Sequence, residues 1–262
     1  MSGALVVVAG AAAGFSFFSS VLTGAAVTVG CLRGTALIVF AVCLPVLVAS
    51  MTRTAGGSAR GLVLWLGALA YLLYQAVMFC FATPVNDLFL LYVAYLGFAV
   101  WSIVVLLRAT DLAGFRARLS SRLPARLIAG FALTVAVLNA YAWLAQIVPA
   151  VVRHEPNILV KDTGLVTNPV FVQDLAIWLP LLITAAVATW RGRAWGLLIT
   201  GAMLTMFVLE SIGIATDQWF GSHAAPASSS ASLAMVPVFA AVAVISALPL
   251  LSYCRNIDRA DG

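Results

Sequence analysis

The sequence predicts an all-α protein: a polytopic transmembrane helical bundle with eight spans, or seven if the first apolar segment does not insert. Two observations carry this. Of the 262 residues, 63% are hydrophobic and only 9% charged, with a mean hydropathy of +1.09, whereas a soluble domain holds roughly 25% charged residues. The apolar residues also fall into runs of the right length, since about 20 are needed to carry a helix across a hydrocarbon core of about 30 Å. The net charge of +5 sits in short segments between those runs. That placement suits orientation in a bilayer, and without clusters of basic and aromatic residues it argues against nucleic acid as a partner.

Spans are expected near residues 4–28, 35–52, 62–82, 87–107, 127–152, 175–190, 195–215 and 234–254, within one transmembrane domain over 1–262. The first is rich in small residues (Gly10, Gly14, Ser16, Ser19, Ser20). Its Gly10–Gly14 spacing suits close helix packing and leaves a homo-oligomer open. No Lys or Arg precedes Arg33, so the basic start of a signal peptide is missing and the segment reads as a retained span.

The loops set the orientation. Arg53 and Arg60 follow span two; Arg108, Arg116, Arg118, Arg122 and Arg126 follow span four; Arg191 and Arg193 follow span six; Arg255 and Arg259 follow span eight. These alternate loops share one side, against Arg33, Arg153 and Lys161 on the other. The positive-inside rule then places both termini in the cytoplasm. The loop Asp111–Arg126 is expected to form a short basic amphipathic helix against anionic lipid headgroups, with Arg108 at its start.

A faint internal repeat is also expected. Leu44-Pro45 and Leu179-Pro180 each lie in a span of the same direction, and Gly61 and Gly196 follow at the same interval. The ungapped match pairs Gly57 with Gly192 and Gln75 with Glu210. Halves 1–107 and 127–254, joined by the basic loop 108–126, would then be parallel repeats about an axis along the membrane normal.

Polar groups inside a membrane are costly and therefore informative. Glu210 lies past the middle of span seven, where it must face a polar cavity, find a partner or stay protonated. It reads as a proton-carrying or cation-binding acid, or as a neutral Glu bonded within the bundle. Gln75 reads as interhelical glue. Asn86 and Asp87 after Pro84, and Asp174 after Asn168-Pro169, fall at expected helix starts, where capping is the simplest role.

The outer loops hold Arg153, His154, Glu155, Lys161 and Asp162, then Asp217 and His223. No HExxH, HxH, phosphate-binding loop or nucleophile elbow is present. No metal and no cofactor is therefore expected. Tyr71, Tyr74, Tyr92, Tyr95, Tyr141, Trp143 and Trp178 are candidates to line a pocket for a lipid-like ligand, although such residues also gather at interfaces. Pro45, Pro180, Pro237 and Pro249 are expected to kink their spans. Cys31, Cys43, Cys80 and Cys254 lack metal-ligand spacing, and a Cys31–Cys80 disulfide is open without local support.

The runs 66–74 (LGALAYLLY), 86–94 (NDLFLLYVA) and 168–175 (NPVFVQDL), with Leu179-Pro180, resemble an uncharacterised family of polytopic bacterial membrane proteins of actinobacterial type. The resemblance covers roughly residues 33 to 210 and implies the architecture alone, since that family carries no established activity. The chain departs from its pattern at Gln75, where Asn is frequent, and at Asp87, where Pro often follows the Asn.

Three functional classes follow. A transporter or channel for a small or amphipathic solute suits the repeat, the kinks and Glu210. An integral membrane enzyme acting on a lipid-linked substrate at the outer face suits the acids and histidines there. A non-catalytic scaffold or sensor requires nothing further.

Overall fold

The computed structural model describes residues 1–154 and 160–258. Glu155 and Arg259 of the expected loops lie outside them. The described residues form helices joined by short turns, and seven helices are long and apolar enough to cross a membrane. They are α2 (Ala26–Ala55), α3 (Ala59–Phe81), α4 (Phe89–Ala109), α6 (Ala125–Arg153), α7 (Pro169–Trp190), α8 (Ala194–Ala224) and α9 (Met235–Arg255). The eighth apolar helix is α1 (Ser2–Phe18), and α5 (Leu112–Ala117) is a short surface helix. The protein is an all-α membrane bundle.

Each expected span has a helix, but several boundaries move, among them the start of α7, at Pro169 instead of 175, and the end of α8, at Ala224 instead of 215. The first span was expected to run to 28, but α1 stops at Phe18. Ser19 Oγ donates to Phe15 O at 2.6 Å, and Gly24 takes a φ of +117° against Pro84, so the chain turns there. Seventeen residues give α1 a length of about 25 Å. The second span was expected from 35, but α2 begins at Ala26, which puts Arg33 inside a helix instead of a loop. The basic loop is also less helical than expected. Only α5 forms, with Asp111 Oδ1 accepting from Ala113 N at 3.0 Å, and the strand-like bridge Leu119–Ile257 follows.

Helices α2 and α7 each contain one π turn, at Val39–Cys43 and Asp174–Trp178. Leu44 N–H reaches back to Val39 O, and Leu179 N–H to Asp174 O. Pro45 and Pro180 come next, lack an N–H and crowd the preceding turn, so the helix widens just before them.

The turns that follow match as well. Gly57 N–H bonds Thr54 O at 2.8 Å and Gly192 N–H bonds Thr189 O at 2.9 Å, while Ser58 and Arg193 each bond the carbonyl five residues back. Gly57 and Gly192 have φ of +86° and +71°, a region that glycine enters without strain.

The centre of the bundle is α3 against α8. Both are 67% buried over their most apolar stretch, against 11% for α9. Gly67 allows the approach: a Cβ there would lie 2.4 Å from Thr205 Cβ and 2.5 Å from Ala202 O. Gln75 meets Glu210 further along, so the two helices run in the same direction. Their starts therefore share one end of the bundle with α5 and residues 256–258. Ten arginines gather at that end: Arg53, Arg60, Arg108, Arg116, Arg118, Arg122, Arg126, Arg191, Arg193 and Arg255.

Asp258 is the tie at that end. Its carboxylate accepts from Ser58 Oγ at 2.8 Å and from the free N–H groups of Ala59 and Arg60, and Arg118 contacts both Asp258 and Gly57 O. Burial opposes its charge, but these donors and the Arg118 charge together hold its carboxyl below the usual range. At the opposite end, Thr28 Oγ1 donates to Thr163 O at 2.8 Å and Ser230 Oγ to Lys161 O at 2.7 Å.

Candidate functional site: an acid cluster between α3 and α8

Helical spacing aligns two sets of polar side chains. Tyr71, Tyr74 and Gln75 stand at i, i+3 and i+4 on α3, and Glu210, Gly213 and Asp217 at i, i+3 and i+7 on α8. Where the two faces meet, Gln75 Nε2 donates to Glu210 Oε2 at 2.7 Å. Gln75 is 3% exposed. An amide–carboxylate bond of this kind satisfies one oxygen of the acid without neutralising it.

Asp217 is reached from α2. Gly34 has no room for a Cβ, which would fall 2.7 Å from Asp217 N, and this close approach carries Thr35 onto the carboxylate. Thr35 Oγ1 stands 3.1 Å from both Oδ1 and Oδ2. Tyr71 fills the space between the two acids. It is fully buried, its hydroxyl has no hydrogen-bond partner, and a Cβ on Gly213 would lie 2.9 Å from that oxygen. The phenol is thus laid over α8 between Glu210 and Asp217, within electrostatic reach of both.

Asp174 forms the third member. It opens the π turn of α7, is 7% exposed, and accepts from Trp143 Nε1 at 2.8 Å and from the Tyr74 hydroxyl. Trp178, at the other end of that turn, packs on Tyr74 with ring centroids 6.1 Å apart and donates to Gln173 Oε1. Electrostatic coupling links Glu210 to both Asp174 and Asp217. Asp174 is buried and Glu210 and Asp217 are half-buried, and hydroxyl, indole and amide donors serve the three carboxylates. Among the described residues the ion pair is Arg118–Asp258, at the arginine end, so no cation balances these acids.

The structure brings Glu210, Gln75, Asp174, Tyr71 and Tyr74 together, and it leaves Asp87 and Asn86 out. The expected capping role of Asp174 does not hold, because α7 starts at Pro169 with Asn168 Oδ1 accepting from Val170 N. Nor does Asp87 cap α4: it is exposed, and Asn86 Oδ1 takes Leu88 N–H instead. Tyr92 and Tyr95 belong to a separate group around Phe79, with Tyr92 bonded to Ser16 Oγ at 2.8 Å. Tyr141 is 72% exposed. The four cysteines are free, so Cys31 and Cys80 do not pair. No three His, Cys, Asp or Glu side chains converge among the described residues as a metal set.

Sequence reasoning missed Asp217, Thr35 and the donor role of Trp143. Asp217 was placed in an outer loop, whereas α8 continues to Ala224. The signal was present: no proline interrupts the chain before Pro226, and Glu210 and Asp217 are seven residues apart on one helix face.

An apolar groove of about 530 Å³ runs between α8 and α9, lined by Ile212, Thr216, Trp219 and Val236 among others. Those positions lie on the far face of α8 from Glu210 and Asp217, so the groove and the acid cluster are separate features. Comparison of the chain with protein-family models, curated proteins and solved structures finds no match.

Proposed function

We propose that this multi-pass membrane protein is a transporter or channel for a small or amphipathic solute, with Glu210 as its proton-carrying or cation-binding acid. The observation that supports this most directly is the Glu210 carboxylate inside the bundle, held by an amide from Gln75 and, among the described residues, in no ion pair. An intramembrane acid is expensive to keep and marks an ion or proton pathway more often than a structural contact.

Its position supports the same reading. Residues 1–107 and 127–254 are proposed as parallel repeats joined by the basic loop 108–126. The acids then come from the second half, and Tyr71, Tyr74, Gln75 and Thr35 from the first. Transporters built from repeats place their sites at such an interface. In this reading the arginine end faces the cytoplasm of a bacterial inner membrane, with Arg108–Arg126 against anionic headgroups. The outer-face enzyme has less support, because Asp174 is buried in the bundle while Asp87 is exposed at its end.

The test uses the purified protein in liposomes loaded with the pH dye pyranine, with a potassium diffusion potential set by valinomycin. Wild-type protein should pass protons above protein-free liposomes. Glu210→Gln should abolish that flux while eluting and melting as wild type does. Equal flux in the variant removes Glu210 from the pathway, and no wild-type flux overturns the transport reading.

A further inference from the structure

We infer that the Tyr71 hydroxyl is a proton relay between Glu210 and Asp217, which makes the ion handled by the proposed site a proton and not a metal cation. The inference rests on the reading of Glu210 given above and deepens it. Tyr71 is the starting observation: a fully buried hydroxyl with no hydrogen-bond partner, one of five such side-chain atoms among the described residues and set apart by lying between two acids. Its oxygen lies over Gly213, which stands three residues after Glu210 and four before Asp217 on the same face of α8. The hydroxyl bonds neither carboxyl as placed; side-chain rotation of Glu210 and Asp217 toward it lets it accept from one and donate to the other.

The step balances. A proton on the Glu210 carboxyl passes to the Tyr71 oxygen as the phenolic proton passes to the Asp217 carboxylate. The products are an ionised Glu210, a neutral Tyr71 and a protonated Asp217, with no net change in charge. Thr35, which donates to Asp217, then stabilises the carboxyl whichever form it takes. On the other side, Tyr74 stands within electrostatic reach of Glu210 and bonds Asp174, which extends the same alternation of phenol and carboxyl. The remaining titratable groups coupled to Tyr71 are Cys43 of α2 and Tyr95 of α4.

The ligand set argues against a metal ion. Hard cations take six or more oxygen ligands. Here the Gln75 amide donor occupies one Glu210 oxygen and the Thr35 hydroxyl faces both Asp217 oxygens. Donor hydrogens aimed at the carboxylates take up oxygen positions that a bound metal would need.

Infrared difference spectroscopy after a pH jump, on the purified protein in lipid nanodiscs, tests this without any transport assay. The carboxyl C=O bands are assigned by their loss in Glu210→Gln and Asp217→Asn. Tyr71→Phe removes a hydroxyl that makes no other bond, so its fold should survive. It should shift both C=O bands and slow the Glu210 response at least tenfold, and Gly213→Ala, which presses on the hydroxyl, should shift them too. Unshifted bands in Tyr71→Phe, or a Glu210 response at the wild-type rate, overturn the relay. Exchanging sodium for choline at fixed pH should move neither band; a sodium-dependent shift overturns the proton in favour of a metal cation. Shifted bands without liposome flux would sink the transport reading and leave the relay standing.

Discussion

Val39 and Asp174 occupy the same place in two helices of the same shape, yet one is an apolar core residue and the other a buried acid. The interval between them, 135 residues, is also the interval between Gln75 and Glu210. Across it the π turn, the following proline, the glycine turn and the start of the next helix all recur. The chemistry does not recur. Gln75 faces Glu210, and Ala82, just past the end of α3, corresponds to Asp217, which the longer α8 carries into the bundle. The comparison teaches that one backbone plan serves both segments, while the costly acids sit on one of them and the donors Thr35, Tyr74 and Gln75 on the other, with Trp143 of α6 added at Asp174.

Breaking the contact between the segments should have the largest effect. Gly67 is where α3 and α8 touch, and Gly67→Val would force side-chain atoms into Thr205 and the Ala202 carbonyl. Overpacking of this kind costs about 1–3 kcal/mol, occasionally more. The variant should melt well below wild type or elute as aggregate, whereas Gly97→Val, whose added Cβ meets nothing within 4 Å, should behave as wild type. Equal melting of the two would show that the α3–α8 crossing is not what holds the bundle together.

Erasing the chemical difference should come next. Asp174→Val gives the second π turn the residue that opens the first. It strands Trp143 Nε1–H and the Tyr74 hydroxyl, and each buried group left unsatisfied costs roughly 1–3 kcal/mol. Asp174→Asn keeps an acceptor oxygen and should lose much less stability. If both variants melt alike, the Trp143 and Tyr74 bonds do not matter to the fold.

A smaller and symmetrical effect should follow from the two turns. Gly57→Ala and Gly192→Ala each place a Cβ at positive φ, at about 1–2 kcal/mol apiece. Similar drops in thermal melting would support one shared turn. A drop at Gly57 alone would point to its contact with Arg118 as the cause.

How much of this was legible in the sequence depended on the kind of signal. Helix number and the arginine asymmetry follow from burial and charge, which act on each segment separately, and Arg53 through Arg255 do gather at one end. The spacing of Leu44-Pro45 and Leu179-Pro180 made Gln75 and Glu210 equivalent positions, but that the two side chains touch was not legible from it. Asp217 was hidden by the habit of ending a span after about 20 apolar residues. Thr35 and Trp143 were invisible for a different reason: each acts through a contact made by the close approach of another helix, as at Gly34, and no local pattern records it.

The smallest effect belongs to the first segment alone. Asp258 accepts from Ser58 and from the N–H groups of Ala59 and Arg60 at the start of α3, and the corresponding start of α8, at Arg193, has no side-chain cap. With its pKa lowered in the folded state, Asp258 contributes stability above its unfolded pKa. That contribution fades as pH falls through the ordinary carboxylate range, from about 4 downward, and is gone below the folded value. Solvent screening keeps it small, because the side chain is still partly exposed. Asp258→Asn should therefore lower the melting temperature slightly at neutral pH and not at all at low pH, so the two melting curves converge on acidification. Curves that stay parallel from pH 7 to about 3 would show that the charge of Asp258 does not cap α3.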